Sequence, residues 1–98
     1  MQARKGLTQP ILRYAPVPQL SQEARWAGLS GVSVIALTVD TNGLPRAVYI
    51  VRPLGMGADE YAVAAVYEYR FTPAAAQGHP VPVQIDIEVN FRIPAGTL

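Results

Sequence analysis

His79 is the chain's only histidine, and so the only side chain whose ordinary pKa lies near neutrality. It stands in Gly78-His79-Pro80 with no acidic residue close in sequence, which describes a solvated loop residue rather than a general base. Asp59-Glu60 is a pair of adjacent carboxylates, but two acids opening a helix are explained by the helix dipole alone. Ser33, Thr38, Asp86 and Glu88 fall on strand-like segments with no base partner in view. Gly55-Met56-Gly57 precedes a helix, yet lacks the flanking glycine and lysine that make a phosphate cradle. One His and no Cys assemble no metal-ligand set. Arg4, Lys5 and Arg13 are too sparse for a nucleic-acid surface. The chain therefore reads as a non-enzyme, with no cofactor, no metal, no nucleic acid and no small-molecule substrate.

Composition agrees with that reading. Ninety-eight residues suffice for one domain, and half of them are apolar against 15% charged, so the chain buries a core. Eight Lys and Arg against seven Asp and Glu leave a net charge of +1, with no strong field for nucleic acid or anionic lipid. The absence of Cys rules out a disulfide framework and leaves the redox compartment open. No apolar run approaches the length of a membrane span and no signal-like segment is present, so the chain as given reads as soluble.

The elements follow from local pattern. Pro10, Pro16 and Pro18 punctuate the first twenty residues, of which 1–17 read as an extended Pro-rich arm, frayed from Met1 to about Gly6, with Ile11, Leu12, Tyr14 and Val17 to bury. Ser21 is a good N-cap for a two-turn helix with Glu23 in its first turn, ended by Gly28. Trp26 is its largest apolar surface and reads as core. Val32 to Val39 is β-branched and apolar on both faces, the mark of a strand covered on both sides. Asn42-Gly43 signals a hairpin, and Pro45 to Arg52 is the return strand, where Pro45 asks for an edge position. A second helix begins near Ala58, with Asp59 and Glu60 at its start, Arg70 near its last turn and Pro73 stopping it. Ala58, Ala62, Val63, Val66 and Tyr69 form its apolar stripe, while Tyr61 and Tyr67 fall outside it, partly packed. Thr72 to Pro80 reads as a loop. Pro82 to Ile93 alternates cleanly, apolar against polar, as a strand with one buried face and one wet face.

The order is α-β-β-α-β. A second helix of 12 to 14 residues climbs about 20 Å and returns the chain along the second strand through a right-handed crossover. The third strand then pairs antiparallel with the first. The expected fold is α+β, two helices on one face of a three-stranded antiparallel sheet of order 2-1-3. Such a sheet leaves the last strand as a long edge, which invites another strand. Two readings stand side by side: Asp86, Glu88 and Arg92 blunt that edge, or the edge is the working surface and receives an extended peptide.

The ordered set of local words resembles one family. These are Ser21-x-Glu23-Ala24-Arg25 with Gly28 behind it, Val39-Asp40-x-x-Gly43, Val51-Arg52 and Asp59-Glu60, followed by Arg70-Phe71-Thr72-Pro73-Ala74, Gly78-His79-Pro80-Val81 and the alternating strand to Asn90-Phe91. Together they are similar to the C-terminal domain of the TonB energy-transducer family over residues 18 to 93, and more loosely from about Gly6. Leu20 stands where that family commonly has Tyr, Tyr69 where it has Trp, and Ala58 where it has a larger aliphatic residue.

The resemblance implies a division into an arm (1–17), a TonB C-terminal-like domain (18–94) and a tail (95–98). It also implies a periplasmic protein-binding domain of a longer protein, anchored in the inner membrane by a segment not present in this chain. Such a domain docks on outer-membrane TonB-dependent transporters and captures their Ton-box segment as an added β-strand, supporting energy-dependent transport. Inner-membrane motor proteins are then partners through the missing N-terminal part. The residues the resemblance assigns to partner binding are Pro18, Gln19 and Leu20 before the first helix, with Val83, Gln84, Ile85, Asp86, Ile87, Glu88, Val89, Asn90, Phe91 and Arg92 on the last strand. The alternative is an envelope interaction or assembly module, appended to another protein, that uses the same edge to form a homodimer.

Overall fold

The computed structural model of the chain describes residues 6–20 and 22–92. Its elements are β1 (Leu7–Thr8), β2 (Ile11–Tyr14), α1 (Gln22–Ala27), β3 (Ser30–Val39) and β4 (Pro45–Arg52), then α2 (Ala58–Tyr67), β5 (Arg70–Thr72), β6 (Ala74–Ala76), β7 (His79–Val81) and β8 (Val83–Arg92). The three long strands form one antiparallel sheet in the order β4-β3-β8. This is the 2-1-3 order expected of the first, second and third strands. β3 is central, which explains its two apolar faces: Ile35, Ala36, Leu37 and Val39 are all fully buried.

The β3–β4 turn is wider than an Asn-Gly hairpin. Its strands close at Val39 opposite Pro45, leaving Asp40 to Leu44 as the loop. Gly43 has φ +80°, whereas Asn42 is not among the left-handed residues. The Asp40 carboxylate shapes the loop instead, accepting the Asn42 and Leu44 N–H groups at 2.9 Å each and pairing with Arg46 at 2.9 Å. The Leu44 N–H, and then the Arg46 guanidinium, hold the Asp40 carboxyl below its ordinary range. Gly43 also meets the rest of the fold: its carbonyl accepts the Phe71 N–H at 3.0 Å, and a Cβ there would collide with the Phe71 carbonyl oxygen.

α2 packs on the sheet with Ala58, Ala62 and Val66 in one buried cluster with Ile35, Leu37 and Val39 of β3 and Val89 and Phe91 of β8, and Ala65 is buried beside them. Val63 is only partly buried, and Tyr69 and Phe71 enter the core from beyond the helix. The helix ends at Tyr67, before Arg70. Arg70 still serves its C-terminal end from outside, donating from Nη1 to the carbonyls of Tyr67 (3.1 Å) and Tyr69 (2.7 Å).

Four expectations are corrected. First, residues 72–80 are not a plain loop: β6 and β7 form a hairpin around Gln77 (φ +50°) and Gly78 (φ +82°). Two consecutive left-handed residues are what a two-residue turn of matching twist requires. Second, the arm is held by main-chain pairing, with β1 on β6 and β2 on β5, while Ile11, Leu12, Tyr14 and Val17 stay exposed. Third, Trp26 is 73% exposed and is no part of the core. Fourth, the two helices do not share the covering of one face. The described side chains of α1 are exposed, and the residues flanking it, Leu20 and Leu29, are what pack against the core. The capping role read for Ser21 and the strand end at Ile93 lie outside the described residues, as do the tail and the first five residues.

Candidate functional site

The main sheet has two outer strands, and they differ physically. β4 begins with Pro45, and its register against β3 slips twice, between Val34 and Ile35 and between Ala36 and Thr38. Ala47, inside the second irregularity, is left-handed at φ +50°. Bulges and a proline are devices that spoil an edge for further pairing. β8 has neither. It pairs with β3 over ten successive positions, from Ser30 opposite Arg92 to Val39 opposite Val83, without a break. Among the described residues no strand lies on its other side. A strand of unbroken register and this length presents alternate free N–H and C=O groups along its outer rim.

The two faces of β8 follow the alternation in sequence. Gln84, Asp86, Glu88, Asn90 and Arg92 are exposed on one face. On the other, Val89 and Phe91 are buried, while Val83, Ile85 and Ile87 are only half-buried. Val89 and Phe91 share the buried cluster with Ala58, Ala62 and Val66 of α2, while Val83, Ile85 and Ile87 pack at its margin. On the wet face Gln84 Nε2 donates to Tyr49 Oη at 3.0 Å. Because Thr38 pairs with Gln84 and Ala36 with Tyr49, this bond passes over β3 and helps bury Ala36.

The other residues assigned to partner binding lie elsewhere. Pro18 and Gln19 join Pro16 and Val17 against Tyr61, Ala64, Ala65 and Glu68 of α2 and its end, lining a cleft of about 420 Å³ that includes no β8 residue. Leu20 packs toward the core. The structure thus gathers Val83 to Arg92 along one rim and sets Pro18 and Gln19 over the helix. A second, open cleft of about 340 Å³ lies at the end of β8, lined by Ser30, Gly31, Val32, Asn90, Phe91 and Arg92.

One polar cluster escaped the sequence reading. Ser33, fully buried, donates its hydroxyl to Asp59 Oδ1 at 2.6 Å. The same oxygen accepts the Leu54 N–H at 2.7 Å, and Oδ2 accepts the Gly55 N–H at 2.8 Å. Burial works against the charged carboxylate, but these donors together outweigh it, so the Asp59 carboxyl lies below its ordinary range. No imidazole is part of this set, and Ser33 is closed to any substrate, so the cluster ties the β4–α2 connection to β3. Nothing in its spacing signals it: Ser33 and Asp59 are 26 residues apart, on a strand and a helix that only the fold brings together. His79, on β7, is exposed. Among the described residues no group of three or more His, Cys, Asp or Glu could hold a metal ion, and no helix is long and apolar enough to cross a membrane.

What this surface offers is main-chain hydrogen bonding along an unbroken rim, flanked by a half-buried apolar row. Residues 16–93 match the family model of the Gram-negative bacterial TonB protein C-terminal region. A comparison with curated proteins finds no match. Among solved structures, the chain is similar to the solution NMR structure of the Pseudomonas aeruginosa TonB C-terminal domain. The two are 18% identical with a TM-score of 0.68, and the similarity covers 92% of this chain and 89% of that one. At that identity the likeness speaks for the fold, while the family model spans most of the sequence. The chain belongs to the family of Gram-negative bacterial TonB protein C-terminal domains.

Proposed function

We propose that this chain is the periplasmic, protein-binding domain of a TonB-like energy transducer. It docks on outer-membrane transporters by taking their Ton-box segment as a strand beside β8, in support of energy-dependent transport, and it performs no catalysis. The protein it belongs to is anchored in the inner membrane and coupled there to motor proteins. The observation that carries the reading is the contrast between the two outer strands. β4 is interrupted by bulges and a proline, whereas β8 keeps ten unbroken pairs with β3 and no strand beyond it among the described residues. Main-chain pairing suits this task, because an added strand is held through its backbone whatever its side chains, which then adjust specificity.

A titration of the chain with a Ton-box peptide, followed by backbone amide shifts, tests the proposal. The expected result is a set of perturbations concentrated on Val83 to Arg92 and on their β3 partners. Unmoved β8 amides at millimolar peptide would sink it. Sedimentation of the chain alone separates capture of a partner from self-pairing, since a dimer built through the same rim persists on dilution.

A further inference from the structure

The β8 rim has two faces of different chemistry, and both constrain what lies beside it. On the core side, Val83, Ile85 and Ile87 form a row that is only half-buried. Side chains of an added strand fall opposite these residues on the same face, so apolar groups at every second position would finish covering them. On the wet side the same strand would place its intervening side chains opposite Asp86 and Glu88, which are exposed.

Within the sheet these two carboxylates are unanswered. Their β3 neighbours are Ala36 and Val34, both apolar. Arg52 lies on the far side of Val34, two strand spacings or about 10 Å away. Arg46 is already engaged with Asp40 at 2.9 Å. Arg92 follows Glu88 by four residues on the same face, about 13 Å along the strand. Among the described residues neither Asp86 nor Glu88 has an ion-pair partner. A like charge set directly opposite them would be repelled, and an opposite one held.

Resting on the strand-capture reading, we infer that the segment this edge selects alternates branched apolar residues with basic ones. The apolar set completes the Val83-Ile85-Ile87 row, and Lys or Arg faces Asp86 and Glu88. Because the wet face is solvated, the charge term is screened by salt, while the apolar and main-chain terms persist.

Two capped nine-residue peptides test this, both with valine at the odd positions and threonine at positions 2 and 8, and with lysine at positions 4 and 6 in one and glutamate there in the other, so that valines laid along Val83 to Phe91 set the charges opposite Asp86 and Glu88. The pattern is symmetric, so it serves for parallel or antiparallel docking. Each is titrated into the full chain at low salt and followed by β8 amide shifts. The lysine peptide is expected to bind at least about fivefold more tightly, from two cross-strand charge pairs gained against two repelled. Added salt should shrink the difference, and the D86K/E88K double variant should reverse it. Both changed positions are exposed, so the variant is expected to fold. Equal binding of the two peptides within twofold, or a lysine preference that survives the double variant, overturns the charge selection and leaves strand capture standing. Binding of neither peptide at millimolar concentration overturns strand capture itself, and this inference with it.

Discussion

Replacing Asp59 with Ala strands three donors at once. The Ser33 hydroxyl, fully buried, loses the acceptor it meets at 2.6 Å, and the Leu54 and Gly55 N–H groups lose theirs at 2.7 and 2.8 Å. A buried donor left without a partner costs about 1–3 kcal/mol. The two amides are only partly buried and reach water, so the low end applies and the sum is about 3 kcal/mol. Ser33→Ala takes away one donor and leaves the carboxylate two others, for about 1 kcal/mol. The double variant should cost less than the two single costs added, because no hydroxyl is left stranded once Ser33 has gone. Urea unfolding followed by far-ultraviolet circular dichroism reads these values. With a slope of about 1.5 kcal/mol per molar, Asp59→Ala shifts the midpoint by about 2 M. The pH dependence has a fixed sign. The folded carboxyl lies below its ordinary 3.8, so its contribution is complete above that value and is lost as pH falls through the lower folded value. Wild type should therefore lose more stability below pH 4 than Asp59→Ala does, with Asp40 supplying the acid sensitivity that remains. A midpoint for Asp59→Ala within about 0.3 M of wild type, or strict additivity with Ser33→Ala, would refute the idea that this cluster ties the β4–α2 connection down.

Gly43→Ala should cost about 2–4 kcal/mol in the same assay, since Gly43 combines φ +80° with a close approach to the Phe71 carbonyl; a cost below 1 kcal/mol would contradict that geometry. Trp26→Ser should change stability by less than about 0.5 kcal/mol, because the indole is 73% exposed, and a drop in Tm of several degrees would return Trp26 to the core. Burial of Tyr69 pushes its phenol above the ordinary 10.0, so an ultraviolet titration should show a late component that Tyr69→Phe removes. The fold prefers that phenol neutral, so stability falls as pH rises through the raised value.

The legible parts of the chain were those whose pattern is local. β3 and β8 each carry their signal in one unbroken run, apolar on both faces in the first and alternating in the second. Their roles as centre and edge of the sheet follow from those patterns. The alanine-rich stretch 74–76 has no such pattern, and its strand exists because β1 and β7 pair with it from both sides. The turn at Gln77-Gly78 was the one local hint, masked by a Gln that seldom takes a left-handed φ. The size and apolarity of Trp26 suggest burial, whereas α1 spans six residues and turns its described side chains to solvent. The edge was legible as an edge; its half-buried flank was not, because the alternation of β8 gives Val83, Ile85 and Ile87 the same weight as the buried Val89 and Phe91.

The unbroken pairing of β8 with β3 bears on how the edge could work under load. A strand captured beside β8 and drawn along its length would load the new ladder in shear, sharing the pull over many hydrogen bonds rather than opening them one by one. The ladder behind it, β8 on β3, has ten pairs and no slip at which strain could gather. β3 in turn is fixed on the core side by Ile35, Leu37 and Val39 against α2, and by Ser33 on Asp59. The same pull on β4 would meet two register breaks before it reached β3. Packing on α2 therefore anchors β3, the strand that would bear the load, while the outer rim of β8 stays unpaired among the described residues for the strand that would transmit it.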